Sequence, residues 1–285
     1  MILMRQRIIT LTVGIIIIGF VLAYITLRAY TQSLYHNTLT RVNIGIWGKH
    51  SYVLSLGKTS RQHYIFLFAN SYEVEVPGGL KKYKIGALGK LAGLEKDPQL
   101  FAKAMGQGGG VFIHKHLYDD TQEIFYDDSW VDSLSFTDIK TELMLSIFRA
   151  GELNIFDRLF ILFTIRDARP GQTTLVRVKT SVPQLLLYEK SFRNEKKLVQ
   201  ILYSGSQHTA IFISKMLENT GIRVADITEN PKRQSGCSII ESSGRFSQTA
   251  SFLSSYFGCA LEKGETGLYE IIWLLDQGVE DTWQI

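Results

Sequence analysis

The sequence predicts an α/β protein with an N-terminal transmembrane helix, a layered α/β domain and a small α/β domain at the C-terminal end. Three observations carry that expectation. One uncharged run of bilayer length stands near the start. Further along, short β-like runs alternate with stretches of helical spacing. Apolar residues make up 45% against 20% charged, which suits a packed core and excludes global disorder. At 285 residues the chain suits one large or two ordinary domains.

The uncharged run is Ile8–Leu27, IITLTVGIIIIGFVLAYITL. As a helix its 20 residues span about 30 Å, the thickness of a bilayer hydrocarbon core. A cleaved signal has a shorter apolar region and a small-x-small site, which Ala23 and Ala29 do not form. The reading is an uncleaved signal anchor. Arg5 and Arg7 keep the short N-terminal side cytoplasmic, which places residues 29–285 on the other face of the cell membrane as a single-pass protein. The expected divisions are 1–28 for tip and anchor, 29–41 for a polar stalk, 42–180 and 197–285 for the two domains, and 181–196 for a linker or last helix.

Charge agrees with this division. The net charge is +4, but residues 1–28 hold Arg5, Arg7, Arg28 and no acid, which leaves 28 cations against 27 anions. So near-neutral a remainder does not describe a nucleic-acid surface, and no helix-turn-helix pattern is present. Two cysteines exclude a disulfide framework and a four-thiolate zinc site.

In the first domain, Tyr52–Leu56, Tyr64–Phe68 and Tyr72–Val76 read as strands, the last ending at the turn Pro77-Gly78-Gly79. Tyr83–Leu94 has near-helical spacing despite Gly86, Gly89 and Gly93. Pro98 opens a short helix that ends near Met105, and Val111–Leu117 is a strand. Helices follow at Thr137–Phe148, capped by Ser135 or Thr137, and at Phe156–Ile165. The run Ile155–Ile165 is too short to cross a bilayer and reads as a core helix. Thr174–Val178 is a strand.

The second domain reads as strand Leu198–Tyr203, helix His208–Asn219 stopped by Gly221, strand Ile222–Ile227 and strand Ser238–Ile240. Helix Phe246–Phe257 and strand Tyr269–Leu275 complete it, with at least two crossover connections.

Two stretches resemble known families. The order from Ile201-Leu202-Tyr203-Ser204-Gly205-Ser206 to Tyr269-Glu270-Ile271-Ile272-Trp273-Leu274-Leu275-Asp276 is similar to the LytR-type C-terminal domain of cell-envelope proteins. Residues 42–180, through Val74-Glu75-Val76-Pro77-Gly78-Gly79 and Lys84-Ile85-Gly86-Ala87-Leu88, resemble a divergent LytR–CpsA–Psr domain. That resemblance implies transfer of lipid-linked glycopolymers to peptidoglycan, with arginines on the pyrophosphate and aspartates on a divalent cation. The matching positions depart from it. Phe68-Ala69-Asn70-Ser71 stands where the family has an Arg-Asp pair, Gly57–Gln62 holds no acid, and the helix from 137 to 148 has only Lys140 as a cation. Phosphoryl transfer needs those charges, so the expectation is a binding protein rather than an enzyme. It would bind or position a wall polymer or an envelope partner. An active phosphotransferase is the alternative, told apart by whether an apolar tunnel is open or filled by side chains such as Phe66, Phe68 and Leu162.

The candidate ligand-binding residues are the basic cluster Lys81, Lys82 and Lys84 and the arginines Arg149 and Arg158, with Arg166 and Arg169 nearby. Solvation or ordinary ion pairing is the bland reading of each. His114 and His116 share a strand face and precede Asp119-Asp120, but a polar strand end is the preferred reading, and neither metal nor cofactor is expected. Gly108–Gly110 is not a phosphate loop. The turn Ser204-Gly205-Ser206 has the form of an anion cradle at a helix start. Cys237 and Cys259 each begin a predicted strand, and either a disulfide or two buried thiols fits.

Overall fold

The computed structural model describes residues 2–36, 39–118, 123–149, 153–179, 189–231, 236–242 and 244–284, with backbone only at 2–12, 148 and 149. The elements run α1 (Ile2–Thr31), β1 (Arg41–Trp47), β2 (Ser51–Gly57), β3 (His63–Phe68), β4 (Glu73–Glu75), β5 (Lys82–Lys84), α2 (Leu88–Glu95), α3 (Pro98–Gly109), β6 (Lys115–Tyr118) and α4 (Trp130–Ser133). Next come α5 (Phe136–Arg149), α6 (Ile155–Asp167), β7 (Thr173–Val178), α7 (Lys190–Glu195), β8 (Leu198–Tyr203), α8 (Gln207–Thr220) and β9 (Arg223–Glu229). The chain closes with β10 (Ser238–Glu241), α9 (Gln248–Phe257), β11 (Ala260–Lys263), β12 (Ile271–Leu274) and α10 (Gln277–Trp283).

Helix α1 contains the apolar run, and none of its side chains between 13 and 27 is buried by protein. Such a surface is stable only against another apolar medium.

The first sheet has the order β6-β1-β2-β3-β7. β1, β2 and β3 form an antiparallel meander, and β6 and β7 add parallel edges. Both faces are covered. Ile44, Leu54, Ile65 and Leu67 pack under α4, α5 and α6, whereas Trp47, Val53, Phe66 and Phe68 pack under α2 and α3. That is why β2 is buried along its whole length. Gly89 lies flat against the Trp47 ring, where a Cβ would come within 1.9 Å of it, and Trp47 Nε1 donates to the Ile85 carbonyl at 3.0 Å.

The second sheet has the order β11-β10-β12-β8-β9. Two parallel pairs, β8/β9 and β10/β11, are joined through α8 and α9, the right number of crossovers for the sequence reading. Burial alternates along β8, because its helices share one core cluster on one face with Val199, Ile201, Ile239, Ile271 and Trp273. Two carboxylates, buried Glu280 and half-buried Glu195, pin the loops of this unit. Glu280 accepts from the Ser204 and Ser206 N–H groups at 2.8 and 2.7 Å, and Glu195 accepts from the N–H groups of Gln248 and Thr249. A disulfide joins Cys237 and Cys259.

The two units pack together through Phe112. It is 1% exposed and meets Tyr256 at 4.7 Å, Phe252 at 5.6 Å, Phe257 at 5.7 Å and Trp283 at 6.3 Å between ring centroids. Gly78 and Gly79, at φ of +92° and +74°, both donate their N–H groups to the Gln284 carbonyl. Buried Glu189 accepts from the Thr40 hydroxyl and the Arg41 N–H, tying the start of β1 to the start of α7.

Several expectations need correction. Tyr83–Leu94 is not one helix: β5, a 3-10 turn at Ile85–Ala87 and α2 divide it. Its glycines serve close approach, since a Cβ at Gly86 would lie 1.9 Å from the Phe125 carbonyl oxygen. Val111–Ile113 is buried loop, and the strand begins only at Lys115. The stretch 29–41 is not a solvated stalk, because Ser33, Leu34 and Leu39 are buried. Helix α6 packs Ile161 and Ile165 into the core as expected, but it also buries Asp157 and leaves Ile155, Leu159 and Phe163 exposed. Ser135 caps α5: its hydroxyl accepts from the Asp138 N–H while its own N–H donates to the Asp138 carboxylate. Residues 181–188 of the expected linker lie outside the described residues.

Candidate functional site

The positions matched to phosphotransferase charges serve structure. Asn70 is buried and its Nδ2 donates to the Asp127 carbonyl at 2.9 Å; its own carbonyl accepts from the Gly86 N–H. The Ser71 N–H donates to the Asp128 carboxylate at 3.2 Å. His50 Nδ1 lies 2.7 Å from Glu142, and Lys140 Nζ donates to the Arg166 carbonyl. Between the sheet and helices α5 and α6, the space is filled. A void of about 10 Å³ remains there, lined by residues that include Leu54, Leu56, Ile139 and Leu143. Such a void is no larger than about one water-sized probe and far below a lipid chain. Phe66 and Phe68 face the opposite side of the sheet, and Leu162 is half-buried beside the filled face.

The structure separates the other candidates. Lys81, Lys82 and Lys84 are exposed on the β4–β5 hairpin rather than at a helix start; Lys82 lies 3.9 Å from Glu75, and Lys84 is opposite Glu73. Lys81 takes φ +68° in the turn. Arg149 ends α5, and its side chain lies outside the described residues. Arg158 Nε donates to the Leu153 carbonyl, buttressing the entry to α6.

The Ser204-Gly205-Ser206 turn cradles an anion, and that anion is the chain's own Glu280. A Cβ at Gly205 would lie 2.2 Å from a Glu280 oxygen. Among the described residues no group of three metal-ligating side chains converges, and Asp119-Asp120 lie outside them. His114 Nδ1 accepts from the Asn43 N–H at 3.0 Å, which puts the neutral ring's proton on buried Nε2. Burial depresses its pKa to about 4, so it is neutral at pH 7.

Two clefts remain. One, of about 450 Å³, runs between the two units. Lys103 of α3 and His116 of β6 stand on one wall; Tyr256, Phe257 and Trp283 stand on the other, with Ser255 and Thr282 hydroxyls at the edge. Lys103 Nζ is 5.8 Å from the Trp283 ring centroid, and desolvation lowers its pKa. Among the described residues lining this groove there is no carboxylate. Sequence reading missed it because Lys103 and Trp283 are brought together only by the packing of the two units.

The second cleft, of about 1040 Å³, lies where α1 meets α6. Tyr30, Tyr35, Leu159, Phe160 and Phe163 form its apolar part, and Lys58, Arg61, Arg166 and Arg169 its basic part. Of the arginines singled out from the sequence, this cleft collects Arg166 and Arg169. The cations at 58 and 61 were legible as a segment without acid.

No family model, no curated protein and no solved structure matches this chain.

Proposed function

We propose that the chain is a non-catalytic, membrane-anchored protein of the cell envelope that holds an anionic wall polymer in the groove between its two units. The observation that carries this reading is the groove itself. An aromatic wall faces a partly desolvated lysine, no carboxylate is among the described residues that line the space, and hydroxyls stand at the rim. Aromatic faces suit the C–H faces of sugar rings, and a cation in a dehydrated cleft suits a phosphate or carboxylate on a polymer.

The placement outside the cytoplasm is supported by the exposed apolar helix, by Arg5 and Arg7 on its short side, and by the Cys237–Cys259 disulfide, which suits an oxidising compartment. The resemblance of 42–180 to a LytR–CpsA–Psr domain and of 197–285 to a LytR-type tail agrees with a wall ligand. The filled space under α5 and the structural role of Asn70 weigh against phosphotransfer.

Co-sedimentation of the detergent-purified chain with wall sacculi tests the reading. Sacculi carrying anionic polymers should pull the chain down, and stripped sacculi should not. Lys103→Glu should lower the bound fraction several-fold. Equal binding to stripped sacculi, or by the variant, contradicts the proposal. Transfer of a polyprenyl-pyrophosphate-linked glycan to sacculi in the presence of magnesium would overturn its non-catalytic part.

A further inference from the structure

Helix α6 is apolar on two faces: Ile161 and Ile165 pack into the core, and a second apolar stripe points outward. Ile155, Leu159 and Phe163, four residues apart, form one stripe and are 59%, 40% and 51% exposed. Asp157 is turned inward and buried. A helix facing water places its apolar stripe on the core, so the outward stripe here faces something other than water.

The position of α6 identifies that surroundings. Tyr30 near the end of α1 packs edge-on against Phe156 at 5.5 Å, and Asn154 Nδ2 donates to the Ala29 carbonyl at 3.3 Å. Just beyond α1, the Leu34 N–H donates to the Asp157 carboxylate at 2.6 Å. Helix α6 therefore starts where the apolar helix leaves the bilayer. Around its far end stand cations. Arg166 lies 5.0 Å from the centroid of Phe163, and Lys58 lies 5.9 Å from that of Phe160 while its Nζ donates to the Leu34 and Tyr35 carbonyls. Arg61 and Arg169 have no carboxylate partner among the described residues. The single acid among the described lining residues, Asp167, is held by Arg166 at 2.9 Å. Apolar and aromatic side chains bordered by arginine and lysine are the chemistry of the headgroup layer, where stems lie among acyl chains and charged ends reach phosphates.

We propose that this face is a second membrane contact: the Ile155–Leu159–Phe163 stripe enters the bilayer that α1 spans, and Arg61 and Arg169 take the phosphates of its anionic phospholipids. The contact fixes the tilt of the first unit, and hence the height of the groove above the membrane. It rests on the anchor reading, and the test separates the two.

The full chain, with its disulfide intact, is reconstituted into vesicles of phosphatidylglycerol and phosphatidylcholine. Single nitroxide labels are placed at Ile18→Cys in α1, Phe163→Cys in α6 and Lys81→Cys on the hairpin as a water-exposed control. Collision with oxygen and with a water-soluble nickel chelate reports depth. Both the Ile18 and Phe163 labels should favour oxygen several-fold over the Lys81 label. Arg61→Glu with Arg169→Glu should return the Phe163 label towards the aqueous value and leave the Ile18 label unchanged. A water-exposed Ile18 label overturns the anchor and this proposal with it. An immersed Ile18 label beside a water-exposed Phe163 label overturns this proposal alone. Equal immersion of Phe163 in pure phosphatidylcholine overturns the role given to anionic headgroups.

Discussion

The two sheets have five strands each and are held in different ways. The first is buried on both faces, and its central strands are near-continuous apolar runs between two helical layers. The second is covered on one face, its strands alternate, and its loops are pinned by Glu195, Glu280 and one disulfide. A sheet with helices on both sides draws its stability from packing. A one-sided sheet has less apolar area to bury and relies more on local ties. The difference also bears on function: among the described residues the first unit keeps only a small void under α5 and α6, and its two larger clefts lie at its boundaries with α1 and with the tail.

The strongest way to break the comparison is at Phe112, where both units meet. Phe112→Ala should cost about 3–5 kcal/mol, the usual penalty for a buried phenylalanine. Denaturant unfolding should then separate into two transitions, and a single unshifted transition would show that the units are not coupled there. The Cys237–Cys259 disulfide closes a 22-residue separation, and reducing it should cost about 3 kcal/mol. Hydrogen exchange should quicken in β8–β12 and stay unchanged in β1–β3. Gly89→Ala should do the reverse. Its Cβ meets the Trp47 ring, and overpacking of this kind costs about 1–3 kcal/mol; the loss should appear in β1 and α2 exchange only.

The same contrast decides what was legible in the sequence. In the second unit, alternation in β8 and the stop at Gly221 placed most elements within two residues. Strand β1 was missed although Val42, Ile44 and Ile46 alternate with Asn43 and Gly45; the first three feed one core, while Gly45 and Trp47 face the other. Helix α10 was missed because it is short, although Asp276 accepts from the Val279 N–H as an ordinary cap. Site residues followed the same logic. Arg166 and Arg169 were visible as cations in the sequence around the helices after 137. The groove was not, since its walls come from segments more than a hundred residues apart.

The boundary of the units should also show a pH dependence. Buried His114 has its pKa lowered to about 4, whereas the unfolded chain titrates near the ordinary histidine value of about 6.5. Between those values the unfolded state binds more protons, so this contribution is fully present above about pH 6.5 and is lost as pH falls towards about 4. Thermal unfolding from pH 7 to pH 4 should show that decline, and His114→Gln should flatten it. A variant with the same slope as the parent would assign the decline to other groups.

The most direct test of the account is the side of the membrane on which the two units reside. A C-terminal fusion to alkaline phosphatase, which folds only outside the cytoplasm, should be active in cells, and non-reducing electrophoresis of thiol-blocked cells should find Cys237 and Cys259 joined. An inactive phosphatase, together with free thiols at both cysteines, would contradict it.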